Sequence, residues 1–314
     1  MGELSKRIGE HGENVVELFL TAIGWKNVQK RFDIPCLLKD KHSITEKPRQ
    51  THGIDFLYAY KNPLISNVLN NIIISSKFKT KKYPNNPNIK FKEYFDDLAI
   101  AMECFSLSEK KNEIANGFDG YSQINDIGLL FWLNNNEEED SYEDLIEKIS
   151  NAQIKNEYNV HCIFVVDNKR VRFILDVIKF LKSEFQNFDF QFYYPNTGQN
   201  ISPIERENTG TYLPVEYINS SILPIKLQNK DNAKEVYFAL FSIDCFEKDD
   251  FRRIMGVAKD ISTNLTSKVF ICFPDYDEIL HSNEAKQAKQ QFTDTNFSST
   301  VFAKNYRNKF PNSI

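Results

Sequence analysis

Nowhere in the 314 residues does an apolar run approach the roughly 18 that a membrane span needs, and the opening MGELSKRIGE is too polar for a secretory signal. The expectation is a soluble, cytoplasmic protein with no membrane partner. Glycine is sparse, at 11 residues, and no GxGxxG or GxxxxGK[ST] occurs, so nucleotide binding through a phosphate-cradling loop is not expected. The five cysteines, Cys36, Cys104, Cys162, Cys245 and Cys272, are odd in number, far apart and without CxxC spacing. Most sit in apolar runs such as HCIFVV and VFICFP, which reads as reduced core thiols rather than a zinc site. His42 and His52 lie in a polar loop with no partner at metal-ligand spacing. There is no internal repeat and no true linker. With 41% hydrophobic residues the chain can bury one large core or two modest ones, and two domains are expected, 1–155 and 156–314.

What the chain does have is charge, unevenly placed. The net charge of −4 conceals a segment from 26 to 92 with 14 basic and 4 acidic residues, a net of +10. The next segment, 93 to 160, has 4 basic and 16 acidic, a net of −12. The overall balance argues against a protein that coats nucleic acid, but a local basic segment is what binding a phosphate backbone requires. Within it, KFKTKK supplies Lys79, Lys81 and Lys82 as candidate nucleic-acid contacts. His52 is a further candidate because it borders Gly53. The acid run EEED is most simply a solvated, helix-starting surface.

Hydrophobic periodicity orders the elements. Residues 5–24 read as a helix with Val15, Val16, Phe19, Leu20 and Ile23 on one face and Gly24 as its C-terminal cap. NVQKRFDIPC reads as a strand, followed by a polar loop. GIDFLYAY and NIIISSKFK form two strands of a hairpin. The helix FKEYFDDLAIAMECFSL presents Phe91, Phe95, Leu98, Met102 and Phe105, and DIGLLFWLN reads as a strand buried on both faces. The second half reads as two strand-helix-strand units, VHCIFVVDN to DFQFYYP and EVYFALFSID to KVFICFP, suited to parallel sheet.

The hairpin carries the chemistry. Asp55 near the start of one strand and Lys77 near the end of the next both oppose the hydrophobic pattern, and adjacent strands bring them to one end of a sheet. A hard divalent cation takes oxygen ligands and keeps several waters, so one or two carboxylates can hold Mg²⁺ or Mn²⁺ against a phosphate. Lys77 would orient the attacking water or stabilise developing negative charge. The plainer reading is a turn-capping Asp55 and a snorkelling Lys77.

The order GExGENVVELFLTAIGW, GID, IIISSKFK resembles the PD-(D/E)XK nuclease superfamily over roughly the first 135 residues. The resemblance implies a restriction-endonuclease-like mixed α/β sheet flanked by helices, followed here by a C-terminal α/β module for partner binding or sensing. Carried over by position, it implies that Glu13 is the helix acid, Asp55 the first strand acid, Ser75 the second and Lys77 the lysine. Metal would then be held by Asp55, Glu13 and Ser75, the last through its backbone or a water. Glu10 can stand in for Glu13. Ser75 departs from the usual acid and leaves room for a catalytically degenerate subunit that binds nucleic acid or scaffolds a complex. SKRIGExGE, HGIDFLYAYKNPL, FYYPNTG and LPVEYINSSILP further resemble the nuclease subunit of a GAPS-type bacterial anti-phage defence system. That resemblance implies DNA cleavage and a second protein subunit encoded in the same operon. A homo-oligomer is compatible with it, and an RNA-directed nuclease is the remaining option.

Overall fold

The structure is a computed structural model that describes residues 3–42, 48–135, 144–154, 157–200, 206–262 and 266–307. The chain divides into two compact units, Met1–Val171 and Arg172–Ile314. In the first, helix α1 (Glu3–Ala22) precedes β1 (Gln29–Pro35), the short α2 (Lys39–His42), β2 (Thr51–Lys61), β3 (Val68–Lys79), α3 (Asn88–Ser106), α4 (Glu109–Ala115), β4 (Gln123–Asn134), α5 (Leu145–Ile149) and β5 (Cys162–Val166). The acid run at 137–140 lies outside the described residues.

The five strands form one mixed sheet in the order β1-β2-β3-β4-β5. β1, β2 and β3 run antiparallel in a meander. β3, β4 and β5 are parallel, and the connection from β3 to β4 passes through α3 and α4. Central strands β3 and β4 are buried on both faces, which their near-continuous apolar sequences require. Side chains on β4 alternate between the faces. Phe131 meets Phe19 of α1 edge-on, while Trp132 meets Tyr94 of α3 with ring centroids 5.3 Å apart. α1 buries Val16, Phe19, Leu20 and Ile23, each stabilising the fold by about 1.5–3 kcal/mol. Gly24 then ends it in the left-handed region at φ 84°, as the C-cap reading expects.

Helix α6 (Asn168–Glu184) begins where the first unit ends. The second unit continues with β6 (Phe188–Tyr193), β7 (Thr209–Gly210), α7 (Val215–Ile218), β8 (Ile222–Asn229), β9 (Val236–Ser242), α8 (Lys248–Ser262), β10 (Lys268–Phe273), α9 (Glu278–Gln290), α10 (Thr295–Ser299) and β11 (Val301–Asn305). Its sheet has the order β11-β10-β9-β8-β6-β7, with β9, β10 and β11 parallel and the rest antiparallel. Phe246, Phe251, Met255 and Phe273 centre its core.

The expected second strand-helix-strand unit is present as β9-α8-β10. The first is not a unit. β5 pairs with β4 in one sheet and β6 pairs with β8 in the other. The division of the chain into its two compact units falls after residue 171. Sequence pattern marks a buried strand but not which sheet edge its backbone will join. No helix among the described residues is long and apolar enough to cross a membrane.

Candidate active site

β-Pairing register places Asp55 at the centre of the site. In the β1–β2 ladder Lys30 pairs with Phe56 and Phe32 with Ile54, so Arg31 stands across from Asp55. The β2–β3 ladder reaches Phe56 and Ile74, and one step further Asp55 faces Ser75. There the carboxylate takes over from the ladder, with the Ser76 backbone N–H donating to Asp55 Oδ2 at 2.7 Å. Burial pushes the Asp55 carboxyl above the usual carboxylate range. The Ser76 N–H and the Lys77 charge oppose that shift, and the negative charges of Glu13 and Asp97 add to it.

Glu13 comes from α1, which is held close to the sheet at Gly12. A Cβ on Gly12 would stand 2.2 Å from Phe78 Cβ on β3, so only glycine allows this approach. Glu13 accepts a hydrogen bond from Arg31 Nε. Arg31 itself has φ 48°, a conformation costing a non-glycine residue roughly 1–3 kcal/mol and typical of functional sites. Glu10 lies 3.9 Å from Lys6 and adds its charge to that of Glu13 at Arg31, but it is not among the charges that act on Asp55. Of the two helix acids, Glu13 is the one beside Asp55.

Alternation along β3 puts Ile73, Ser75 and Lys77 on the face covered by α3. Lys77 Nζ donates to Asp97 Oδ2 of α3 at 2.9 Å, and Arg49 donates to Asp97 Oδ1 at 3.2 Å. Burial works against ionisation of Asp97, but Lys77 and Arg49 outweigh it and hold the carboxyl below its ordinary range. Asp97, Arg49 and Arg31 were not legible as site residues in the sequence. Asp97 has one weak signal, an acid beside the apolar face of its helix.

The donor set suits a hard cation. Asp55 is half-buried near two other carboxylates that disfavour its charge, and a divalent ion at its second oxygen would relieve that penalty. Ser75 is 9% exposed and lies on the Lys77 face, so a contact from it to a metal would be a neutral one.

Lys79, the last residue of β3, and Lys81 and Lys82 just beyond it are exposed. His52 is different. It is fully buried, with neither ring nitrogen hydrogen-bonded, and desolvation lowers its pKa to about 4. A side chain with no solvent exposure cannot touch a nucleic acid, so the expected contact from His52 is not available. His42 is also buried, and spacing was a poor guide to its surroundings. Cys36 Sγ and Cys104 Sγ lie 3.6 and 3.4 Å from its Nδ1.

A mixed sheet with an acid-bearing helix on one side, a strand acid and a following strand lysine defines the PD-(D/E)XK class, and the first unit is restriction-endonuclease-like. Residues 1–170 match the family model of the GAPS4 protein PD-(D/E)XK nuclease domain, and the chain belongs to that family. No curated protein matches the chain. Among solved structures, the central domain of yeast acetyl-CoA carboxylase aligns at 7% identity with a TM-score of 0.22, over 85% of this chain and 42% of that one. The chain thus spans less than half the length of that protein, and a likeness so weak carries no argument.

Proposed function

We propose that this chain is the metal-dependent DNA endonuclease of an anti-phage defence system, acting in the cytoplasm with a partner subunit. The observation that carries the reading is the convergence of Glu13, Asp55 and Lys77 on one sheet end, beside the exposed lysines 79 and 81. A bound Mg²⁺ or Mn²⁺ would acidify a water and offset charge on the scissile phosphate. Asp55 and Glu13 would hold that ion, with Ser75 reaching it through its backbone or a water. Lys77 would stabilise the developing oxyanion, and Asp97 aims its ammonium by accepting a hydrogen bond from it. The basic strand end would track the DNA backbone.

The second unit is assigned to partner binding or target sensing. Among its described residues no set of three or more potential metal ligands gathers. The test is cleavage of plasmid DNA by the purified chain with its operon partner, in Mg²⁺ and in EDTA, with matched RNA in parallel. Cleavage lost in EDTA, in Asp55→Ala and in Lys77→Ala supports the assignment. Full activity in both variants overturns it. Ser75 favours a second reading, a binding subunit that kept the fold. Defence intact in Asp55→Ala and Lys77→Ala, but lost on reversing Lys79, Lys81 and Lys82, would select it.

A further inference from the structure

Away from the Asp55 centre, four residues meet in the core of the first unit. They are Cys36 just after β1, His42 at the end of α2, His52 in β2 and Cys104 in α3. All four are buried, between 0% and 2% exposed. One ligand atom from each lies within 4.8 Å of the other three. We propose that these residues form a structural zinc site of the Cys₂His₂ type, built into the nuclease domain and separate from the Asp55 centre.

The geometry fits that ion. Zn–S bonds of about 2.3 Å and Zn–N bonds of about 2.0–2.1 Å set tetrahedral ligand edges of about 3.3–3.8 Å. The two sulfur to Nδ1 distances of His42, 3.6 and 3.4 Å, fall in that interval. A thiol-imidazole hydrogen-bond cluster would explain His42 but not His52. The His52 ring is fully buried, with both nitrogens unpartnered, and stands nearly perpendicular to that of His42 at a centroid distance of 5.3 Å. A buried polar ring without a partner requires an explanation, and a cation among the four ligand atoms supplies it.

The surroundings are those of a ligand set. His42 Nε2 donates to Glu103 Oε2 at 3.0 Å, which turns the Nδ1 lone pair toward the two sulfurs. Glu103 is itself held by Lys41 Nζ at 2.6 Å and the Asn159 N–H at 2.7 Å. The Leu37 N–H points at Cys104 Sγ from 3.3 Å and would stabilise a thiolate. The charges of two thiolates offset that of one divalent ion and the imidazoles are neutral, so the filled site is neutral inside the core. Sulfur and imidazole ligands in tetrahedral array select zinc over magnesium. The ion would tie the β1–β2 connection, which carries Arg49, to α3, which carries Asp97.

The full-length protein, purified without a metal-chelating tag, is tested by elemental analysis and by replacing its metal with Co²⁺. The expected result is about one zinc per chain and the visible absorption of tetrahedral, thiolate-ligated cobalt. Zinc content should fall to a small fraction in Cys104→Ser and His52→Ala and stay unchanged in Asp55→Ala and Cys272→Ala. Folded wild-type protein with no zinc and no thiolate-cobalt spectrum overturns the proposal, and so does zinc retained in both Cys104→Ser and His52→Ala. Because the wild-type readouts need no variant to fold and no cleavage, they stand apart from the nuclease assignment.

Discussion

Substituting Gly12 by alanine sets two effects of known size against each other. Exchanging glycine for alanine inside a helix ordinarily stabilises it by about 1 kcal/mol. Here the new methyl would lie 2.2 Å from Phe78 Cβ and 2.9 Å from its Cγ. Carbon pairs settle at about 3.5–4.0 Å, so α1 must lift from β3 by about 1.5 Å or Phe78 must leave its place. The obstructing atom is the root of a side chain on a strand, and no rotamer change moves it. Overpacking costs about 1–3 kcal/mol, and with no rotamer to relieve the clash the upper part of that range applies, leaving Gly12→Ala up to about 2 kcal/mol less stable after the propensity gain of about 1 kcal/mol. Lifting the helix also carries Glu13 away from Asp55. A displacement of about 1 Å can lower a rate on the order of 100-fold. Gly9, in the same helix, has nothing within 4 Å of the position of its Cβ. Gly9→Ala therefore receives the propensity gain alone, about 0.5–1 kcal/mol. Urea unfolding should rank Gly9→Ala above wild type and wild type above Gly12→Ala, with plasmid cleavage lost only in the last. A Gly12→Ala protein that is at least as stable as wild type and fully active would refute the close approach of helix and strand.

Asp97→Asn removes the charge that holds Lys77 and Arg49. Cleavage should fall roughly 10- to 100-fold with little change in DNA affinity, and an unchanged rate would deny Asp97 its positioning role. Charge reversal at Lys79 and Lys81 should weaken DNA binding across sequences and flatten the log-log salt dependence by about 0.9 per lost phosphate contact. Binding with an unaltered salt slope would place the DNA elsewhere. Desolvation of Asp144 is outweighed by its bonds to Lys169 and the Glu147 N–H, and its pKa is lowered on folding. A depressed folded pKa means a contribution present above the unfolded value of 3.8 and lost as pH falls through the folded one. Asp144→Asn should therefore cost up to about 1 kcal/mol near neutral pH and nothing at the acid end. An equal loss at both ends, read by denaturant unfolding, would count against that ion pair.

Local pattern was enough for much of the fold. The helical stripe of α1 with its glycine cap, the two strands of the hairpin and the buried face of α3 all follow from periodicities of 3.6 and 2, which depend on near neighbours in the chain. Asp55 and Lys77 were legible for a related reason. Each interrupts an apolar run, and the interruption is visible without knowing what lies opposite.

What the sequence by itself determined, then, is the long helices and strands around the hairpin and the two polar residues that break their pattern. Which residues those two face was decided only by tertiary structure. Register put Arg31 across from Asp55, and α3 delivered Asp97 to Lys77 from 20 residues away. The same is true of β5, whose sheet was set by which backbone edge lay open. It is most plainly true of Cys36, His42, His52 and Cys104. Their spacing resembles no ligand motif, because the first three come from the residue after β1, from α2 and from β2, and the fourth from a helix 52 residues beyond His52. Hydrogen bonds, ion pairs and metal bonds act through space, and only the packed chain states those distances.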